Sequence, residues 1–151
     1  MLTALLPPER IRVPLGGHSR HAVLRELVEI ALPDADLATV DAVFQCVLAR
    51  EAIVSTAMGD GLAVPHGRTE ALDRICMSAG LVDSVEDYVA PDGVPVRACF
   101  LLLTPPADGG AHLKVLARLA RLMRNAELRT ALYSATAPDE FVAVLRRAGA
   151  P

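Results

Sequence analysis

Residues 94–103 read Val94-Pro95-Val96-Arg97-Ala98-Cys99-Phe100-Leu101-Leu102-Leu103. The whole run reads as a strand from Val94 to Leu103, and its continuously apolar part from Ala98 predicts a central strand covered on both faces. Pro91-Asp92-Gly93 ahead of it is a strong turn signal. Residues 62–64 and 75–82 are further short apolar or alternating runs bounded by Gly, Pro and Asp, and they read as strands. On either side of this middle region the period becomes helical. Upstream, residues 11–13 form a short opening strand. Ser19 then caps a helix that runs to Leu32 with Val23, Leu24, Leu27, Val28 and Ala31 at helical spacing, and Pro33 ends it. Asp34 or Asp36 caps a second helix whose apolar face carries Leu37, Val40, Val43, Phe44, Val47 and Leu48. Arg50 and Glu51 sit at or just beyond its end, where the helix dipole favours a cation. Downstream, Asp108-Gly109-Gly110 opens a helix over 111–124, with Leu113, Leu116, Leu119, Ala120 and Met123 on one face. Two more helices follow near 126–134 and 138–148. The fold class is α/β (α+β): one domain over residues 1–151, with a mixed sheet sandwiched between helices.

The composition narrows the function. The chain has 151 residues, is 52% hydrophobic but only 3% aromatic, and carries a net charge of −3. An acidic balance with so few aromatic rings excludes nucleic acid as the main partner, since that binding relies on surplus Lys and Arg and on stacking platforms. No apolar run approaches the ~20 residues that span a bilayer, so no direct membrane insertion is expected. The start shows no basic region followed by a long apolar stretch, and no signal peptide is read there. Cys46, Cys76 and Cys99 are widely spaced in apolar runs. They fit reduced core cysteines of a cytoplasmic protein better than a disulfide framework or a metal site.

The chemistry concentrates in Met58-Gly59-Asp60-Gly61-Leu62-Ala63-Val64-Pro65-His66-Gly67-Arg68. A short buried strand ends on Pro65 and delivers an imidazole to a surface, with Gly67 leaving the ring edge open to a large incoming group. Imidazole is both nucleophilic and largely neutral near pH 7. His66 has two readings: a satisfied histidine at a strand end, or a nucleophile that accepts a phosphoryl or acyl group. No Gly-x-Ser-x-Gly elbow supports a serine hydrolase with His66 as base. No second Cys or His stands at ligand spacing for zinc.

His112 sits in the first turn of the helix after Gly109-Gly110, where free backbone N–H groups suit an anion; the alternative is a polar residue at an exposed helix end. Arg50 could hold two phosphoryl oxygens at once, or merely pair with Glu51 or a carbonyl. Ser55, Thr56 and Asp60 could supply hydroxyl and carboxylate groups around the same pocket. His18 and His21 flank the first helix start as solvated or capping residues. Lys114, Arg118 and Arg121 form a solvated stripe on the polar face of the His112 helix. Gly59-Asp60-Gly61 matches neither a Walker loop nor a dinucleotide fingerprint.

The pattern from Arg50-Glu51 through Ser55-Thr56 to Gly59-Asp60-Gly61-Leu62-Ala63-Val64-Pro65-His66-Gly67 resembles the signature of fructose/mannitol-type enzyme IIA domains of the bacterial phosphotransferase system. Pro105, followed by His112-Leu113 and Leu116, is similar to that family's second histidine segment. The likeness runs from about Leu2 to Arg147, and the stand-alone nitrogen-regulatory (PtsN-like) members are the most similar. It implies a three-layer α/β/α sandwich and a phosphocarrier without cofactor or metal. In that picture His66 accepts a phosphoryl group through Nε2 from HPr or its nitrogen-branch paralogue. Arg50 and His112 contact the phosphoryl oxygens, and Ser55, Thr56 and Gly67 line the pocket. The resemblance assigns Asp60 no fixed role. Two roles compete: a regulator of targets such as kinases and transporters, or a sugar-uptake subunit that passes the group to an enzyme IIB domain. A binding module without phosphoryl transfer, and a hydrolase using His66 as base, are the remaining alternatives.

Overall fold

The computed structural model describes residues 2–83 and 85–149. In chain order the elements are α1 (Leu2–Leu5), β1 (Ile11–Arg12), α2 (Arg20–Ala31), α3 (Leu37–Ile53), β2 (Ala57–Gly59), β3 (Leu62–Ala63), β4 (His66–Arg68), β5 (Cys76–Leu81), β6 (Ala98–Thr104), α4 (Gly109–Leu122), α5 (Ala126–Tyr133) and α6 (Pro138–Arg147). The caps follow the local chemistry of the chain. Ser19 Oγ accepts from the Ala22 N–H at 3.1 Å and the Asp36 carboxylate from the Thr39 N–H at 2.8 Å, each contributing about 1 kcal/mol.

Strand β6 is central, as its unbroken apolar run requires. It pairs antiparallel with β5, and β1 lies parallel to β5 at that edge. On its other side β6 meets two strands in succession. β3 pairs parallel with its start (Leu62↔Ala98) and β4 parallel with its end (His66↔Leu102, Arg68↔Thr104), while β2 flanks β3. Pro65 makes the break between them: it has no N–H for the ladder, and its carbonyl accepts from the Leu102 N–H at 3.0 Å.

The alternation of β6 divides the core in two. Ala98, Phe100 and Leu102 pack with Leu2, Leu119 and Phe141 beneath α1, α4, α5 and α6. Cys99, Leu101 and Leu103 pack with Val23, Leu27, Val43 and Val47 beneath α2 and α3. The result is a mixed six-stranded sheet between two helical layers, in agreement with the expected sandwich. Each fully buried large apolar side chain contributes roughly 1.5–3 kcal/mol. Cys46, Cys76 and Cys99 are all free thiols, and no helix among the described residues is long and apolar enough to cross a membrane.

Three local expectations need correction. The strand expected from residue 94 starts at Ala98, because the Asp92 carboxylate accepts the Val94 N–H and Pro95 offers no donor, so the segment turns before it joins the ladder. Leu37 opens α3 beyond the packed layer and is 69% exposed. The buried stripe of α4 is His112, Val115 and Leu119, rotated from the one expected, which leaves Leu113 outside at 64% exposure.

The sheet leaves no room for a side chain at Gly80. A β-carbon there would stand 2.5 Å from Leu15 Cγ and 2.7 Å from the Arg12 carbonyl oxygen. Since backbone cannot yield as a side chain can, Gly80→Ala is expected to lower stability by about 1–3 kcal/mol, read as an earlier urea midpoint.

Candidate functional site

Successive residues of a strand face opposite sides of the sheet, so β4 turns His66 and Arg68 to the α4 side and Gly67 to the α3 side. A β-carbon on Gly67 would meet Cys46 Sγ at 3.3 Å and Val47 Cγ2 at 3.4 Å. Glycine at 67 therefore lets α3 close onto the strand, which corrects the expectation that it opens the imidazole edge. That close approach brings the last turn of α3, with Arg50, to the same end of the sheet. Helix α4 supplies His112 from the opposite layer. Cys46, Arg50, His66, Gly67, Arg68 and His112 line one open cleft, and Leu113 and Leu116 form its apolar wall.

The two imidazoles meet edge to face, with centroids 5.1 Å apart and planes at 71°. His66 Nδ1 lies 2.9 Å from the Val64 carbonyl oxygen. A carbonyl only accepts, so Nδ1 carries the proton and Nε2 of the neutral ring keeps its lone pair. His112 is buried, and its Nδ1 is 3.0 Å from Thr104 Oγ1. Burial first, then His66, Arg68 and Arg50, push the His112 pKa down to about 4. The ring is therefore neutral at pH 7. Arg50 Nη1 donates to the Val54 carbonyl at 2.9 Å, and neither Arg50 nor Arg68 has a carboxylate partner among the described residues. A cleft lined by two guanidinium groups and two imidazoles, with no carboxylate on its wall among the described residues, suits a small multiply charged anion.

Ser55 and Thr56 do not line this cleft, a correction to their expected role. Glu51 is buried with 5% of its surface exposed. Its carboxylate accepts from Ser55 Oγ at 3.2 Å, from the Thr56 N–H at 3.0 Å and from Thr56 Oγ1 at 2.6 Å. A buried carboxylate that has no paired cation among the described residues demands such donors, so both hydroxyls turn to it. Thr56 Oγ1 also meets the Tyr88 hydroxyl at 3.0 Å. The two residues thus stiffen the turn whose Val54 carbonyl holds Arg50. Asp60 lies away from the cleft in the β2–β3 turn, where the Tyr133 hydroxyl donates to its carbonyl at 2.6 Å. His21 packs edge-on against Phe44 with centroids 4.9 Å apart. Among the described residues no group of three or more His, Cys, Asp or Glu is placed to hold a metal ion.

Comparison with known proteins sets this geometry in a family. Residues 4–148 match the model of the phosphoenolpyruvate-dependent sugar phosphotransferase system, EIIA 2. The chain belongs to the EIIA 2 family. It is 37% identical over 146 residues to a nitrogen regulatory protein of Bradyrhizobium diazoefficiens, covering 95% of this chain and 94% of that one. The crystal structure of nitrogen regulatory protein IIA-Ntr from Neisseria meningitidis superposes with a TM-score of 0.81 at 31% identity, over 94% of this chain and 97% of that one. The fold also matches enzyme IIAMTL in its complex with phosphorylated enzyme IIBMTL from Escherichia coli, with a TM-score of 0.70 at 18% identity over 92% and 95% of the two chains.

Two side chains, one lining this EIIA-type cleft and one buried behind it, escape a reading of the sequence. Arg68 carries a usable signal, since residue i+2 of a strand shares the face of residue i. Thr104 carries none. Its place follows from the register Arg68↔Thr104, a long-range pairing.

The buried neutral ring of this EIIA 2 chain also predicts a pH dependence. His112 binds its proton at about 4 when folded, against an ordinary value of 6.5. Below pH 6.5 the unfolded chain takes up a proton that the folded chain refuses, so stability present above pH 6.5 is lost as the pH falls towards 4. The loss attributable to this ring is on the order of 2–3 kcal/mol. Urea denaturation of wild type and His112→Gln at pH 7 and pH 4.5 should show a smaller acid-side loss in the variant; equal losses would contradict it.

Proposed function

We propose that this phosphotransferase-system IIA phosphocarrier takes its phosphoryl group on Nε2 of His66, from a histidine-bearing HPr-type carrier or its nitrogen-branch paralogue. In the step, the N–P bond to the carrier imidazole breaks and the carrier ring recovers its electron pair. The lone pair of His66 Nε2 forms the new N–P bond in line with the one that breaks. Such transfer asks little covalent work of the protein; positioning and stabilisation of charge on the three equatorial oxygens decide the rate. Arg50 binds two of those oxygens, and His112 donates to one through its N–H. Gly67 holds β4 against α3 so that these groups converge. No cofactor or metal enters the step.

The observation that carries this reading is the Nδ1–H of His66 committed to the Val64 carbonyl, which turns the nucleophilic nitrogen to a cleft rich in positive charge. Incubation with phosphoenolpyruvate, enzyme I and HPr should yield an acid-labile phosphohistidine at His66, seen by phosphorus NMR and peptide mapping. Failure to take any label from HPr or its paralogue would end the proposal.

The nitrogen regulatory relatives support a regulatory role, which we infer residues 1–151 perform as one domain in the cytoplasm. A phosphoryl group adds close to two negative charges, enough to change which target, such as a kinase or a transporter, docks at the cleft. A second reading, transfer onward to an enzyme IIB domain, is favoured by the fold match to the IIA partner of phosphorylated IIBMTL. Loss of label from the phosphorylated chain on adding an enzyme IIB domain would distinguish the two.

A further inference from the structure

The last residue of β6, Thr104, is completely buried and faces the α4 side beside Arg68. Its Oγ1 has one hydrogen-bond partner among the described residues, His112 Nδ1 at 3.0 Å. We propose that Thr104 is a positioning residue that fixes the tautomer of His112, holding the ring proton on Nε2 where it can donate to a phosphoryl oxygen on His66. The inference rests on the phosphocarrier reading for its consequence, and on hydrogen-bond accounting for its substance.

One proton decides between the two tautomers. A threonine hydroxyl carries one donor and two acceptor lone pairs. If His112 Nδ1 bore the ring proton and donated to Oγ1, the hydroxyl proton of Thr104 would be left buried with no acceptor, a costly arrangement. If the hydroxyl donates to Nδ1 instead, nothing is orphaned. Nδ1 is then the acceptor, and in a neutral ring the proton sits on Nε2. The ring is neutral because it is buried beside two guanidinium groups.

His66 stands in the opposite state. A carbonyl at its Nδ1 forces the proton there and bares Nε2, whereas a hydroxyl at the Nδ1 of His112 does the reverse. Two facing imidazoles thereby become complementary: one offers a lone pair to phosphorus and the other an N–H to a phosphoryl oxygen. With the tautomer of His112 reversed, its Nε2 lone pair would face the phosphoryl oxygens and repel them. The side chain acts entirely through the neighbouring ring, since it is sealed from the cleft.

Long-range proton–nitrogen NMR of histidine-labelled protein at pH 7.5 reads each tautomer directly. The wild type should show Nε2–H at His112 and Nδ1–H at His66. Thr104→Val keeps the shape and removes the donor: the second tautomer of His112 should appear, the His66 pattern should persist, and phosphoryl acceptance from HPr should slow on the order of tenfold. That is less than the roughly 10²–10³ lost when such a donor is deleted outright. Thr104→Ser should restore both tautomer and rate. Nδ1–H at His112 in the wild type overturns the proposal without need of a variant, so a poorly folding Thr104→Val does not shield it. An unchanged tautomer and rate in Thr104→Val overturn it equally. A wild type with Nε2–H at His112 that takes no phosphoryl group upholds the tautomer assignment and overturns the phosphocarrier reading instead.

Discussion

Replacing His66 with alanine is expected to leave no acid-labile phosphoryl group on the chain after incubation with phosphoenolpyruvate, enzyme I and HPr. The cleft holds one other imidazole, and three properties disqualify it as a substitute acceptor. His112 is buried, its Nδ1 is engaged by Thr104, and its pKa, pushed down from the ordinary 6.5 to about 4, makes it a weak base. His66 is only partly buried, so truncating it opens no core cavity. The ring's bond to the Val64 carbonyl is lost, at an expected cost to stability of about 1 kcal/mol. Loss of label with an almost unchanged urea midpoint is the expected pair of results. Label retained on His66→Ala would move the acceptor to another residue and overturn the assignment.

Arg50→Ala is expected to slow phosphoryl acceptance by about 10²–10³-fold, the usual penalty for deleting one preorganised donor from developing charge. Arg50→Lys should recover only part of that. An ammonium restores the charge but not the planar fork that grips two oxygens together. The location of Arg50 makes the prediction specific. It stands in the last turn of α3, with Nη1 tied to the Val54 carbonyl in a turn that Glu51 and Thr56 lock from beneath. The guanidinium is thus held near its working position before the carrier arrives, so little ordering entropy remains to be lost on binding. Single-turnover transfer from phosphorylated HPr measures the effect. A wild-type rate in Arg50→Ala would remove Arg50 from the phosphoryl site.

Residues of this chain differ in how plainly the sequence declares their roles. Ser19, Asp36 and the apolar run of β6 are legible because capping and alternation are local properties, set by residues within one turn or one strand. Ser55 and Thr56 mislead. Hydroxyls beside a candidate anion site look like ligands, yet a buried Glu51 a few residues away claims both of them. Leu113 misleads in the same manner, since helical spacing says which residues share a stripe but not which of two adjacent stripes meets the sheet.

By itself, then, the order of residues determined the capped helices α2 and α3, the central strand β6 and the short run that leads to the imidazole, since each depends on chain geometry over a few residues. Only the tertiary structure decided that α3 and α4, from opposite layers, carry Arg50 and His112 to the end of β4, and that Thr104 stands under the second imidazole. Convergence of that kind depends on strand register and on how closely a helix can approach a glycine. Those are relations between segments distant along the chain, and no local pattern of residues encodes them.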